Sequence, residues 1–299
     1  MKLASFEKSG SASWGVVVDN AVIDLGARRG GTLLLELERG LNPDALKEEC
    51  SGLTPDYSAD DVLLTPPVVR GDKIVCIGVN YTNRNAEYKD SSEEPDWPSL
   101  FMRAYDSFTG ANRNLYRPPE SYKLDYEGEI VVVIGKAGHR IPQAEALDYV
   151  AGLTLMNEGT LRDWVRHAKF NVTQGKNFQA SGSIGPWLVT ADEFDRFDDL
   201  LLETRVNGEL RQRDSTSSLL FPVEYLISYL SIFYCLRPGD MISIGTPQGA
   251  GARFDPPKFL APGDKVEVYV PGIGTLTNGI EDDPTAAEDF TGQLRDNRA

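Results

Sequence analysis

Five consecutive apolar residues, Ile130 to Ile134, follow Asp125-Tyr126-Glu127-Gly128-Glu129 and stop at Gly135. An apolar run of this length bounded by a glycine predicts a strand buried on both faces. Similar short runs predict strands at 73–78, 151–156, 186–190, 202–206, 241–244, 265–270 and 275–278. Residues 12–25 alternate apolar and polar like a hairpin turning at Asp19-Asn20, and Asn207-Gly208 is a strong type I′ hairpin signal. Helices are few: one capped by Asn42 and running to residue 50, one over 143–149 and one over 222–234. Pro238-Gly239-Asp240 and Pro262-Gly263-Asp264 are two turns of one kind, each opening a strand.

This pattern reads as an α+β chain, mainly β. Residues 1–65 look like a small N-terminal unit, and Leu64-Thr65-Pro66-Pro67 is a stiff connector. A larger unit spans about 70–280, and residues 281–299 form a polar, charged tail expected to pack loosely.

The chemistry concentrates in three carboxylates. Glu127 and Glu129 are two apart at the mouth of a buried strand, so their side chains share a face with Cα atoms roughly 7 Å apart. Glu158 closes a second apolar segment, 150–156, where a strand is expected to hand over to a helix. Glu-x-Glu alone also describes a solvated acidic edge. The flanking Ile-Val-Val-Val-Ile argues against that, because buried anions repel and lose hydration unless a positive charge sits among them. A hard divalent cation with oxygen ligands resolves the conflict and points to a metal-dependent enzyme.

Composition narrows the field. The 299 residues carry a net charge of −15, which disfavours a nucleic-acid partner. The longest apolar stretch, about 225–236, is too short to span a bilayer, and no secretory leader is legible, so a cytoplasmic location without a membrane partner is expected. Cys50, Cys76 and Cys235 are scattered, and Cys76 and Cys235 are expected to be buried thiols in a reducing compartment. Two histidines, His139 and His167, exclude a three-histidine zinc site; the first is expected on the surface and the second in a structural hydrogen bond.

Other candidates are weaker. The run Gly245-Thr246-Pro247-Gln248-Gly249-Ala250-Gly251 lacks phosphate-loop and dinucleotide spacing, but its amides and the Thr246 hydroxyl could cradle a carboxylate. Lys176 stands among residues that suggest burial, where a lysine needs a partner. Arg162 and Asp163 are expected to form a structural ion pair.

Together these segments resemble the fumarylacetoacetate hydrolase family. The resemblance runs collinearly from Ile77-Gly78-Val79-Asn80-Tyr81 through Pro98-Ser99-Leu100-Phe101-Met102-Arg103, the Asp125–Lys136 stretch, Asn157-Glu158 with Arg162-Asp163, and Gly175-Lys176-Asn177-Phe178 to Gly245-Thr246-Pro247. It implies a mixed β-roll with a small N-terminal α/β subdomain, usually a homodimer, that binds Mg²⁺ or Mn²⁺ through Glu127, Glu129 and Glu158. It further implies small-molecule 2-oxo acid substrates, with Lys176 stabilising negative charge and Arg103, Thr246, Tyr81 and Gly245 binding substrate. Hydrolysis of a C–C bond in an acylpyruvate is the family default.

Two positions depart from the family pattern. The usual aspartate ligand is Glu158, one methylene longer. The Gly-x-Asn-Tyr-x-x-His-x-x-Glu dyad keeps Glu87 but carries Arg84 at the histidine. Arginine stays protonated and cannot act as a general base at neutral pH. Arg84 is expected instead to bind a second substrate carboxylate or to pair with Glu87. Isomerisation or decarboxylation of an unsaturated 2-oxo diacid is therefore the close rival. A non-catalytic 2-oxo-acid binder and a metal-free structural protein are the remaining alternatives.

Overall fold

The computed structural model describes residues 1–82, 87, 94–165, 167 and 172–286. Among these, the chain forms a mixed twelve-stranded sheet, a five-stranded sheet and a two-stranded pair. The apolar run becomes the strand Gly128–Ile134, every residue of it buried. It pairs antiparallel with Val150–Asn157 on one side and Met241–Ser243 on the other. Its side chains alternate between two cores. Ile130, Val132 and Ile134 pack with Leu202 and Val268 and with Leu226, Ile227 and Leu230 of the Val223–Ser231 helix. Val131 and Val133 pack with Met156, Leu188, Leu3 and Leu33. Two covered faces explain why this stretch has no polar alternation.

The predicted strands are present with shifted ends: Ile74–Gly78, Val150–Asn157, Gly182–Thr190, Leu201–Val206, Met241–Ser243, Lys265–Val270 and Gly274–Asp282. Both predicted hairpins form. Asp19 and Asn20 have φ of 46° and 62°, Asn207 and Gly208 51° and 81°; these positive values are what a type I′ turn requires. The leading strand Lys2–Lys8 pairs with Gly182–Thr190 at Leu3↔Leu188, so the first strands extend the same sheet. The Asn42 side chain accepts from the Ala45 amide and caps the Pro43–Cys50 helix.

Four local expectations change. Glu158 does not lead directly into a helix; Thr160–Leu161 instead pairs antiparallel with Leu124–Asp125. Gly159 permits the tight passage, since a Cβ there would stand 1.6 Å from the Ser181 carbonyl oxygen. Residues 143–149 form a 3₁₀ helix. Cys235 is exposed while Cys76 is buried, because Leu236 is the residue of that turn that points into the core. Glu281 and Asp282 belong to a strand paired in parallel with Leu115–Arg117, and residues 287–299 lie outside the described residues. Among the described residues, no helix is long and apolar enough to cross a membrane.

One buried amide holds the floor of the site. After the strand Ile74–Gly78, the fully buried Asn80 donates to the carbonyls of Phe221 and Ile244 and accepts from the Phe221 amide. It thereby ties the exit of one strand to the segment before Gly245. Asn80→Ala leaves these backbone groups unpaired at about 1–3 kcal/mol each. Urea unfolding is expected to show a loss of roughly 3 kcal/mol or more; a loss below about 1 kcal/mol would contradict this role.

Candidate metal centre

Backbone pairing brings the three carboxylates together. Gly128 pairs with Asn157 across the two central strands. Just beyond that pair, the Glu158 amide donates to the Glu127 carbonyl at 2.7 Å, and the Glu127 amide donates to Asn157 Oδ1 at 3.0 Å. One carboxylate oxygen from each of Glu127, Glu129 and Glu158 lies within 4.8 Å of the others, and all three residues are buried. Oxygens up to roughly 4–5 Å apart can share one ion whose bonds are about 2.0–2.6 Å long. The donor set, all carboxylate and held on backbone-fixed segments, fits a hard divalent cation and not a soft one.

The surrounding cations are unevenly placed. Lys176 Nζ donates to Glu127 Oε2 at 2.6 Å, to Glu158 Oε2 at 2.8 Å and to Thr160 Oγ1 at 2.9 Å, using all three of its hydrogens. Burial pulls its ammonium down, but Glu127 and Glu158 outweigh that and hold it above the ordinary lysine value. Arg162 bridges Asp125 Oδ2 at 2.7 Å and Glu127 Oε1 at 2.9 Å. Arg103 reaches Glu158 Oε1 at 3.4 Å. Glu129 has no cationic partner among the described residues; its Oε2 accepts from Ser243 Oγ at 2.5 Å and the Gly245 amide at 3.1 Å. Burial first, then Glu158 and Glu127, push its carboxyl well above the usual range. Burial likewise raises Glu158, with Lys176 and Arg103 opposing. Among the described residues, four carboxylates, counting Asp125, thus face three cations, and the deficit sits at Glu129.

The glycine-rich loop is fastened to the Asp125–Glu129 segment residue by residue. Asp125 accepts from the Gly251 and Ala252 amides. The Tyr126 hydroxyl donates to the Gly249 carbonyl. Thr246 Oγ1 donates to the Gly128 carbonyl at 2.9 Å and accepts from Gln212 Nε2 at 2.9 Å. The Thr246 hydroxyl and the Gly245 amide, both expected to hold a carboxylate of a ligand, are therefore turned to protein groups. Gly245, at φ 101°, passes 3.0 Å from the Asn80 Cβ if a side chain is added.

The remaining expectations fall as follows. The Glu87 carboxylate accepts from the Gly249 amide at 2.6 Å. Arg84 lies outside the described residues. The Tyr81 hydroxyl is buried, without a hydrogen-bond partner among the described residues. Arg103 has a side chain that is 0% exposed. Arg162 does not pair with Asp163, which instead accepts from Ser121 Oγ. His167 meets the Trp164 ring edge-on at 4.0 Å, and His139 is exposed. Sequence reasoning overlooked Asp125, Thr160 and the site-facing role of Arg162. Their proximity to Glu127 and Glu158 along the chain was the one available signal.

The triad lies at the wall of a cavity of about 900 Å³, lined also by Val79, Phe101, Val165, Val172, Lys176 and Thr246. Glu129→Gln keeps the shape and removes one uncompensated anion. It is expected to raise the melting temperature of the metal-free protein by about 2–4 °C, the shift that roughly 1 kcal/mol produces at this size. A divalent cation is expected to raise the melting temperature of the unmodified protein further, and the same substitution to abolish that rise. Differential scanning calorimetry checks both; a lower melting temperature with an intact metal response would refute the electrostatic account.

Comparison with known proteins agrees with this geometry. The family model for the fumarylacetoacetate (FAA) hydrolase C-terminal domain matches residues 73–281. The oxaloacetate tautomerase YisK of Bacillus subtilis is 41% identical over 227 residues, 75% of this chain and 75% of its own. The structure of a fumarylacetoacetate hydrolase from Exiguobacterium antarcticum superposes with a TM-score of 0.83 at 32% identity, covering 95% of this chain and all of that one. A 5-carboxymethyl-2-hydroxymuconate delta-isomerase from Mycobacterium smegmatis superposes at 0.74 with 27% identity, covering 95% of this chain and 99% of that one. Because that match covers residues 73–281, the acidic triad included, the chain belongs to the fumarylacetoacetate hydrolase family.

Proposed function

We propose that this chain is a divalent-cation-dependent enzyme that enolises a 2-oxo acid, with keto–enol interconversion of oxaloacetate as the leading candidate reaction. The observation that carries the reading is the buried convergence of Glu127, Glu129 and Glu158 beside Lys176 on an open cavity. Mg²⁺ or Mn²⁺ held by these carboxylates would supply a Lewis acid that acidifies the carbon next to the keto group. Lys176, held charged on the cavity wall by Glu127 and Glu158, would stabilise the negative charge that develops on a substrate oxygen. Arg162, held by Asp125, keeps Glu127 oriented. Arginine at position 84 and the tautomerase and isomerase relatives support proton transfer over water activation.

A second reading, C–C hydrolysis of an acylpyruvate, draws on Glu87, whose carboxylate is held at the loop by the Gly249 amide. An assay panel separates the two. Oxaloacetate enol decay should accelerate with Mg²⁺ or Mn²⁺ and fall to background in EDTA, while acylpyruvates release little pyruvate. Lys176→Met should lower kcat for enol decay by about 10²–10³-fold. Pyruvate release from acylpyruvates without any effect on oxaloacetate would overturn the enolisation reading in favour of hydrolysis.

A further inference from the structure

Arg103 stands at a position where a cation facing a cavity would be expected to meet an anionic ligand. Its surroundings leave no donor for one. Nε donates to Ser107 Oγ at 3.2 Å; Nη1 donates to Glu158 Oε1 at 3.4 Å and the Gly159 carbonyl at 3.0 Å; Nη2 donates to the Ser107 carbonyl at 3.4 Å and Ser181 Oγ at 3.1 Å. All five guanidinium hydrogens are thus directed at protein acceptors, and the group stacks 4.1 Å from the Phe108 ring centre. Its anchors are themselves fixed: Ser107 Oγ donates to the Ala104 carbonyl and Ser181 Oγ to the Phe178 carbonyl. The planar fork therefore joins the 103–108 turn, the 158–159 turn and Ser181 into one unit.

The two oxygens of Glu158 are divided between partners. Oε1 faces Arg103 and Oε2 faces Lys176, on the side of Glu127. A glutamate has one more rotatable bond than an aspartate, and a ligand with that extra freedom binds an ion weakly unless something fixes it. An aspartate at 158 would end one carbon-carbon bond short of Arg103.

We propose that Arg103 is a positioning residue that locks the long Glu158 side chain by its outer oxygen, presenting the inner oxygen to the divalent cation, and that it does not touch substrate. The inference rests on the metal reading above and adds a division of labour to it: Lys176 serves the reaction, and Arg103 serves the ligand.

Calorimetric titration of Mn²⁺ into the metal-stripped full chain tests it, with KM for oxaloacetate at saturating Mn²⁺ as the second readout. Arg103→Lys keeps the charge but loses the fork and is expected to bind Mn²⁺ about 10–100-fold more weakly, with KM within about twofold of wild type. In a Glu158→Asp background, whose shorter carboxylate withdraws from Arg103, adding Arg103→Lys should change Mn²⁺ affinity by less than about twofold. Circular dichroism monitors folding. If Arg103→Lys does not fold, Ser181→Ala, which removes one anchor of the fork, is expected to weaken Mn²⁺ by about 3–10-fold. Unchanged Mn²⁺ affinity in the folded variant, or a raised KM with affinity intact, overturns the inference while leaving the metal reading in place. An equal loss in both backgrounds also overturns it, showing a general structural role. Failure of wild type to bind Mn²⁺ overturns the metal reading and the inference together.

Discussion

Mutual repulsion among buried carboxylates is the constraint on which this site depends. Three buried glutamates, each with a carboxylate oxygen within 4.8 Å of the others, are tolerable only where positive charge is supplied. Lys176 and the two arginines supply it to Glu127, Glu158 and Asp125, and the remaining deficit lies at Glu129, whose described partners are a hydroxyl and an amide. The arrangement is poised for a small doubly charged ion. It also explains why the strand carrying Glu129 is anchored so thoroughly, with two paired neighbours and two cores.

The five residues Asp125 to Glu129 act as a clasp between the charged groups and the glycine loop. Successive members take opposite duties: Asp125 holds loop amides and Arg162, Tyr126 holds a loop carbonyl, Gly128 receives the Thr246 hydroxyl, and Glu129 receives the Gly245 amide. Gly128 has no room for a side chain, since a Cβ would fall 2.0 Å from Thr204 Oγ1. The loop and the carboxylate segment are therefore joined by mostly buried hydrogen bonds of 2.7–3.1 Å.

Several elements show where local reasoning reaches its limit. Arg162 and Asp163 are adjacent in sequence and of opposite charge, yet in the turn that follows Thr160–Leu161 they find different partners; Arg162 turns toward Asp125 and Glu127, and Asp163 toward Ser121. The helix expected after Glu158 is replaced by a turn because Gly159 passes against Ser181 and the next two residues find a strand partner at Leu124–Asp125. The substrate role expected of Arg103 comes from the family resemblance, whereas in the fold its five guanidinium hydrogens are directed at five protein acceptors.

From sequence alone, the strand carrying Glu129, both hairpins with the type I′ turn at Asn207-Gly208, the candidate ligands and the family resemblance were all legible. Each rests on short-range regularities: apolar runs, turn residues with obligatory positive φ, and acidic residues at a fixed spacing of two. What only the tertiary structure decided is which oxygen faces which cation. Lys176 meets Glu127 across 49 positions, and Glu129 meets Ser243 across 114. Such pairings are set by strand register and by the balance of desolvation against charge, and neither quantity is written in any local stretch of the chain.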